Sequence, residues 1–164
     1  MTLHSMKTIT IGFSKSKKKF AIGSWLLRAY MKTPYSHTYL GFRSATIDRN
    51  IKYESVGSGV RFIGEKRWQS HAREIKAYTI QISEASYIEM LQFCVDNASD
   101  SYGFWQNAGV LIADVLKLKT NPFNTGVNCS ELIGKILVRN GYKIDKDLNN
   151  LTPKDIDIIL GQSL

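Results

Sequence analysis

The sequence predicts an α+β fold in which a small antiparallel β-sheet packs against helices, within a single domain over residues 1–164. Three observations indicate this. Segments whose apolar residues alternate with period two fall in the first half of the chain, and segments with helical spacing fall mostly in the second half. The length suits one domain with one hydrophobic core. No repeat and no linker rich in proline or glycine divides the chain.

The chain opens with a predicted strand and a predicted helix. Residues 7–13 alternate as a half-buried strand does. Residues 24–32 have the spacing of a short helix, for which Ser24 is the expected N-cap. Pro34 prevents this helix from continuing. The apolar residues expected on one side of the helix are Leu26, Leu27 and Tyr30.

Further strands are expected before residue 83. Residues 36–42 alternate, with Leu40 on one face and His37 on the other. Residues 52–64 form one strand or two short strands separated at a pair of glycines. Residues 74–82 form the last strand, because Tyr, Ile and Ile recur there at every second position.

The second half is predicted to be mostly helical. Helices are expected over residues 83–98 and 102–119, from Cys129 onward, and from Pro153 onward with Thr152 as the N-cap. Ser83 and Ser86 are both candidate N-caps of the first of these. The residues expected on its buried side are Tyr87, Leu91, Cys94, Val95 and Ala98.

Several classes of protein are excluded by composition. No apolar run approaches the ~18 residues of a membrane-spanning helix. The first 20 residues lack the apolar block and cleavage site of a secretory signal, so we expect a protein that is cytoplasmic as synthesised. Release by lysis, or by a route that needs no signal, as for a phage-encoded protein, is compatible with this expectation.

The cysteines and histidines favour neither disulfides nor metal binding. The two cysteines, Cys94 and Cys129, are too few for a disulfide framework. The three histidines are scattered, without the paired spacing of a zinc site. We therefore expect no metal and no cofactor.

The net charge of +8 favours an anionic partner such as a cell-wall polymer, nucleic acid or lipid headgroups. Its densest cluster comprises Lys15, Lys17, Lys18 and Lys19. A solvated basic loop after the first strand is the preferred interpretation of the cluster. Nucleic acid is not the expected partner, because no zinc-finger spacing, RNP pattern or recognition helix accompanies the lysines.

Cys129 stands where a cysteine becomes reactive. Asn128 is a good N-cap, and Glu131 three residues later has the spacing of a capping box. Cys129 therefore lies in the first helical turn, where the helix dipole favours a thiolate. A buried structural cysteine is the alternative interpretation. Cys94 lies in mid-helix on an apolar face, and we assign it to the core.

A nucleophilic thiol needs an imidazole to exchange protons with it, and a third polar group usually orients that imidazole. His37 begins a predicted strand, and Glu54 lies on the next one. Pairing of these strands would bring the two side chains together, although the register is not fixed by the sequence. Taken alone, His37 could cap an exposed edge, and Glu54 could be an exposed strand carboxylate.

Four segments taken in order resemble the circularly permuted branch of the NlpC/P60 superfamily, which are papain-like cysteine hydrolases. These segments read "YSHTYLGF", "YESVGSGV", "YGFWQNAG" and "NCSELIGKIL". The resemblance extends over about residues 7–160, and the final "LTPKDI" fits it. It implies a permuted papain-like architecture over the whole chain.

The resemblance also implies roles for individual residues. Cys129 would be the nucleophile, His37 the base and Glu54 the residue that orients His37. Tyr102 matches the site tyrosine of the family and would bind substrate or the oxyanion, as would Ser130 beside the nucleophile. A helix-capping aromatic is the alternative interpretation of Tyr102. The long helical segment between Tyr102 and Cys129 departs from the family pattern and leaves the substrate open.

The resulting hypothesis is a cysteine hydrolase that cleaves amide bonds, most naturally in the stem peptides of peptidoglycan, through a thioester intermediate. A lipid acyl hydrolase or acyltransferase of the same fold is one alternative. A basic binding or structural protein without turnover is the other.

Overall fold

The computed structural model describes residues 6–18, 22–100, 109–110, 112–113, 116–120, 122 and 126–163. In these residues the chain forms a five-stranded antiparallel sheet together with five α-helices, which is an α+β architecture. The predicted fold class is confirmed at this level.

All five strands lie in the first half of the chain, together with two of the helices. The five strands are β1 (Met6–Ser16), β2 (His37–Ser44), β3 (Arg49–Val56), β4 (Gly59–Gly64) and β5 (Ala72–Ser83). The helices are α1 (Ile22–Met31), α2 (Glu65–His71), α3 (Glu84–Asp96), α4 (Cys129–Arg139) and α5 (Pro153–Gln162), and a short 3-10 turn covers Leu148–Asn150. The strand order across the sheet is β4-β3-β2-β1-β5, and every neighbouring pair is antiparallel.

One face of the sheet carries the main core. Ile9, Ile11 and Phe13 of β1 are buried there, as their alternation predicts. Leu40 on β2 lies opposite Tyr53 on β3 and belongs to the same core. Helices α3, α4 and α5 supply the covering apolar side chains, so the sheet is closed on this side by the second half of the chain.

The opposite face carries a smaller cluster beneath α2. Trp68 of α2 packs on Tyr39 of β2, with 4.7 Å between ring centroids. A side chain at Gly12 would overlap the Tyr39 ring, so glycine is required where the two strands place them opposite each other. Helix α2 was not predicted from the sequence, and it begins after Gly64 without a side-chain cap.

Residues 52–64 are two strands joined at a tight turn, the second of the two alternatives. Helix α4 begins after Asn128, whose side chain accepts a hydrogen bond from the Glu131 amide at 2.8 Å. Helix α5 begins with the predicted Thr152 cap, completed by Asp155. Within the described ranges no helix is both long and apolar enough to cross a membrane.

Two expectations about helices were wrong in detail. Helix α1 begins at Ile22, so Ser24 is not its N-cap, and the Ser24 hydroxyl instead lies 2.5 Å from that of Ser36. In α3, Ser83 is the N-cap, but Val95 is exposed. The helix is rotated to bury the larger side chains Met90 and Phe93 together with Cys94, which have the same i, i+3, i+4 spacing. The helix predicted over 102–119 lies largely outside the described residues, although 109–110 and 112–113 are helical.

Candidate active site

His37 and Glu54 lie side by side, as the predicted strand pairing requires. His37 is the first residue of β2, and Glu54 is on the neighbouring strand β3 on the same face of the sheet. Nε2 of His37 is 3.1 Å from Oε2 of Glu54. A carboxylate can only accept, so Nε2–H donates and Nδ1 is the nitrogen left for another partner.

Glu54 is held as a carboxylate by several donors. Its side chain is 1% exposed. Oε2 also accepts from the Trp68 indole at 3.0 Å, and Oε1 accepts from Nε and Nη2 of Arg61 at 3.1 and 2.8 Å. Burial alone would raise the pKa of Glu54, but the hydrogen bonds and charges of His37 and Arg61 lower it from 4.5 to about 2.

His71 extends this network on the side away from His37. Its Nε2 lies 3.1 Å from Nη2 of Arg61, and its Nδ1 lies 3.0 Å from the Arg67 carbonyl. Since a guanidinium only donates, Nε2 accepts and Nδ1 carries the proton. Arg61, Trp68 and His71 were missed in the sequence. The one available signal was that Arg61 and Glu54 are paired across a predicted hairpin, where opposite charges are favourable.

Cys129 is the first residue of α4, as predicted, and is 6% exposed. Helix α4 packs against β2 and β3, which brings its beginning to the end of β2 where His37 stands. The preceding residues are anchored to the sheet, because the hydroxyl of Ser55 on β3 donates to the Val127 carbonyl. Ser55 and Glu54 point to opposite faces of β3, so one strand fixes both the residues before Cys129 and the partner of His37.

Cys129 and His37 line the same small pocket, and each shifts the pKa of the other. Burial alone would raise the pKa of Cys129, but the charge and hydrogen bond of His37 lower it. The backbone amide of Thr38 and the Ser130 hydroxyl, whose Oγ is 3.9 Å from Sγ, lower it further.

The pKa of His37 shifts in the opposite direction to that of Cys129. Burial alone would lower the pKa of His37, but the negative sulfur and the Cys129 and Glu54 hydrogen bonds raise it to about 10. Both shifts favour the pair of a Cys129 thiolate and a His37 imidazolium over the neutral pair.

The other cysteine provides an internal contrast. Cys94 is fully buried in the core, and burial raises its pKa to about 12. It therefore remains a neutral thiol, as its predicted core position requires. Because the two thiols differ only in their surroundings, the network around Cys129 accounts for the opposite shift of its pKa.

Helix α4 also offers two backbone donors beside the sulfur. Of its first four amides, that of Glu131 is bound by the Asn128 side chain and that of Leu132 by the Asn128 carbonyl. Within the described residues, the amides of Cys129 and Ser130 have no hydrogen-bond partner. Such amides at a helix N-terminus are suited to hold an oxyanion.

A small pocket of about 40 Å³ opens beside the cysteine. Polar groups on its wall come from Ser36, His37, Cys129 and Ser130. The remaining lining residues are Leu27, Val110, Leu151, Thr152 and Pro153. The space admits a small polar group such as a carbonyl, and both polar and apolar side chains line it.

Not every predicted site residue can be placed. Ser130 lies in the pocket wall next to Cys129, whereas Tyr102 lies outside the described residues, as does Lys19. Lys17 and Lys18 are exposed and Lys15 is half-buried. Within the described part of the chain, no three histidine, cysteine or acidic residues are arranged to hold a metal ion.

The chain was compared with protein-family models, with curated proteins and with solved structures. No match was found in any of the three comparisons.

Proposed function

We propose that the protein is a cysteine-dependent hydrolase that cleaves amide bonds, with peptidoglycan stem peptides as the substrate class. The observation that carries the proposal is that Cys129 and His37 line one pocket while Nε2 of His37 is hydrogen-bonded to Glu54. A nucleophile, a proton-transfer group and an orienting group are the minimum set for covalent acyl transfer.

The first half of the reaction consumes the thiolate. Sγ of Cys129 attacks the substrate carbonyl carbon, and the carbonyl electrons move onto oxygen. The free amides of Cys129 and Ser130 stabilise this oxyanion. Nδ1–H of His37 then protonates the leaving nitrogen, the C–N bond breaks, and a thioester remains on the sulfur.

The second half restores the enzyme. Neutral His37 accepts a proton from water as the water attacks the thioester, and the C–S bond breaks to release the acid and the thiolate. Glu54 keeps the imidazole in position through Nε2 in both halves and stabilises its protonated form. Arg61 and Trp68 hold Glu54 in turn, and all three act as positioning residues.

We further propose the permuted papain-like architecture. The order of the histidine strand before the cysteine helix, and the packing of that helix on the sheet, support it. The second candidate substrate is a lipid acyl group, and the observation that favours it is the apolar wall formed by Leu27, Val110 and Leu151.

The test compares the full chain with its Cys129→Ala and His37→Ala variants on purified peptidoglycan and on a panel of acyl lipids. Cys94→Ala, which removes the other thiol, is the matched control. We expect release of new amino groups from peptidoglycan, and a loss of at least about a thousandfold in kcat in either active-site variant but not in the control. Turnover that survives Cys129→Ala, or the absence of turnover on every substrate, would overturn the proposal.

A further inference from the structure

Helix α1 turns its apolar side outward. Ile22, Trp25 and Leu26 are 69, 60 and 49% exposed, and Ala29 one turn later is exposed too. These positions have the i, i+3, i+4, i+7 spacing of a single helical face. Surface helices of globular proteins present the reverse arrangement, so this face is suited to contact something apolar.

The inner side of α1 is attached next to the catalytic pocket. The Ser24 hydroxyl lies 2.5 Å from that of Ser36, the residue before His37. Leu27 lines the pocket itself. The exposed apolar face therefore lies on the outer side of an element that forms part of the pocket wall.

A second exposed segment lies close to the same pocket. Val110 also lines it, and the Lys119 carbonyl accepts a hydrogen bond from Asn150, next to the pocket residue Leu151. Leu116 and Leu118, which come just before Lys119, are exposed. Apolar residues therefore alternate with lysines in this exposed segment.

The segment of the chain that contains α1 carries charge of one sign. The first 47 residues contain eight lysines and arginines and no aspartate or glutamate, whereas residues 48–164 contain 14 basic and 14 acidic residues. The whole net charge of +8 therefore lies in the part of the chain that includes α1. Lys18 is four residues before Ile22, which limits their Cα separation to about 14 Å. Arg28 and Lys32 flank the apolar face from its other end.

We propose that the outer face of α1 and the basic residues around it dock the protein on an anionic lipid surface. An apolar stripe that carries a tryptophan and is flanked by basic residues enters the boundary between headgroups and acyl chains, while the cations remain with the phosphates. A protein partner would equally cover the apolar face. The segment that contains α1, whose charged residues are all basic, however, fits a uniformly anionic surface best.

Sedimentation with vesicles tests the docking directly. Vesicles of phosphatidylglycerol mixed with phosphatidylcholine are compared with vesicles of phosphatidylcholine alone. We expect binding to the anionic vesicles that weakens as salt is added. The double variant Trp25→Ser, Leu26→Ser lowers the partition coefficient at least about tenfold. Lys17→Gln with Lys18→Gln lowers it at least about fivefold.

Matched controls keep the result specific. Ile158→Ser removes an apolar side chain of α5 that is 48% exposed and should leave binding unchanged. Lys66→Gln with Lys143→Gln makes the same change in net charge at exposed lysines elsewhere and should weaken binding less than Lys17→Gln with Lys18→Gln.

Cys129→Ala should bind like the parent chain, so docking and catalysis are judged separately. Three results would overturn the inference. The first is equal binding to both vesicle types. The second is binding that the α1 variant does not change. The third is self-association, or capture by peptidoglycan, through α1 without any vesicle binding.

Discussion

Replacing Glu54 by glutamine removes one charge from the centre of the network with little change in shape. The carboxylate accepts from His37 and Trp68 on one oxygen and from Arg61 on the other. A glutamine has only one acceptor oxygen, so its NH2 group must face either the guanidinium or the two ring donors. The buried donors on that side lose their acceptor, and Arg61 loses its counter-charge.

The loss of stability in Glu54→Gln follows from the pKa of Glu54, which is about 2 in the folded chain and 4.5 ordinarily. This difference corresponds to about 3 kcal/mol of stability at neutral pH. It agrees with the ~3–5 kcal/mol for breaking a buried ion pair by removing one partner. For a domain of this size, Glu54→Gln should lower Tm by about 10 °C.

The pH dependence gives the prediction its distinctive sign. Because the pKa of Glu54 is lower in the folded than in the unfolded chain, its stabilisation is complete above about pH 4.5 and is lost as the pH falls toward 2. The difference in stability between the parent and Glu54→Gln should therefore shrink over this range.

Urea unfolding followed by circular dichroism at a series of pH values measures the difference. Glu84→Gln, which removes an exposed carboxylate 3.2 Å from Lys7, is the control and should cost at most about 1 kcal/mol. A Glu54→Gln cost below about 1 kcal/mol at neutral pH, or one that does not change with pH, would refute the reasoning.

Two further substitutions test how the sheet positions the site. Ser55→Ala removes the hydrogen bond to the Val127 carbonyl. We therefore expect the free energy of unfolding, measured in urea, to fall by about 1 kcal/mol, and kcat to fall as well. An unchanged kcat would mean that this contact does not position Cys129. Gly12→Ala places a methyl group against the Tyr39 ring and should cost about 1–3 kcal/mol in the same assay, whereas Gly57→Ala, with open space around it, should cost clearly less.

Much of the sheet could be predicted because alternation determines which face a strand residue occupies. This rule placed His37 and Leu40 on opposite faces, whereas the register that brings Glu54 within 3.1 Å of His37 was not fixed by the sequence. The N-cap residue Asn128 likewise predicted where α4 begins, because capping is a local property of the chain.

The rest depends on contacts that no local pattern contains. Helix α2 has seven residues, one buried side chain and no side-chain cap, so its sequence carries no helical stripe, although its Trp68 holds Glu54. Helix α1 is the opposite case, because its pattern was visible in the sequence but its orientation was not. Its apolar spacing was visible, but periodicity cannot reveal that the stripe containing Leu26 faces outward.

The central claim is that His37 makes Cys129 a thiolate near neutral pH. The alkylation rate of each cysteine by iodoacetamide, followed by mass spectrometry across pH, measures it, with the fully buried Cys94 as the internal reference. The account predicts that Cys129 reacts with an apparent pKa well below that of an ordinary thiol, and that His37→Ala returns it to the ordinary value. An ordinary pKa in the parent chain, unchanged in the variant, would contradict the account.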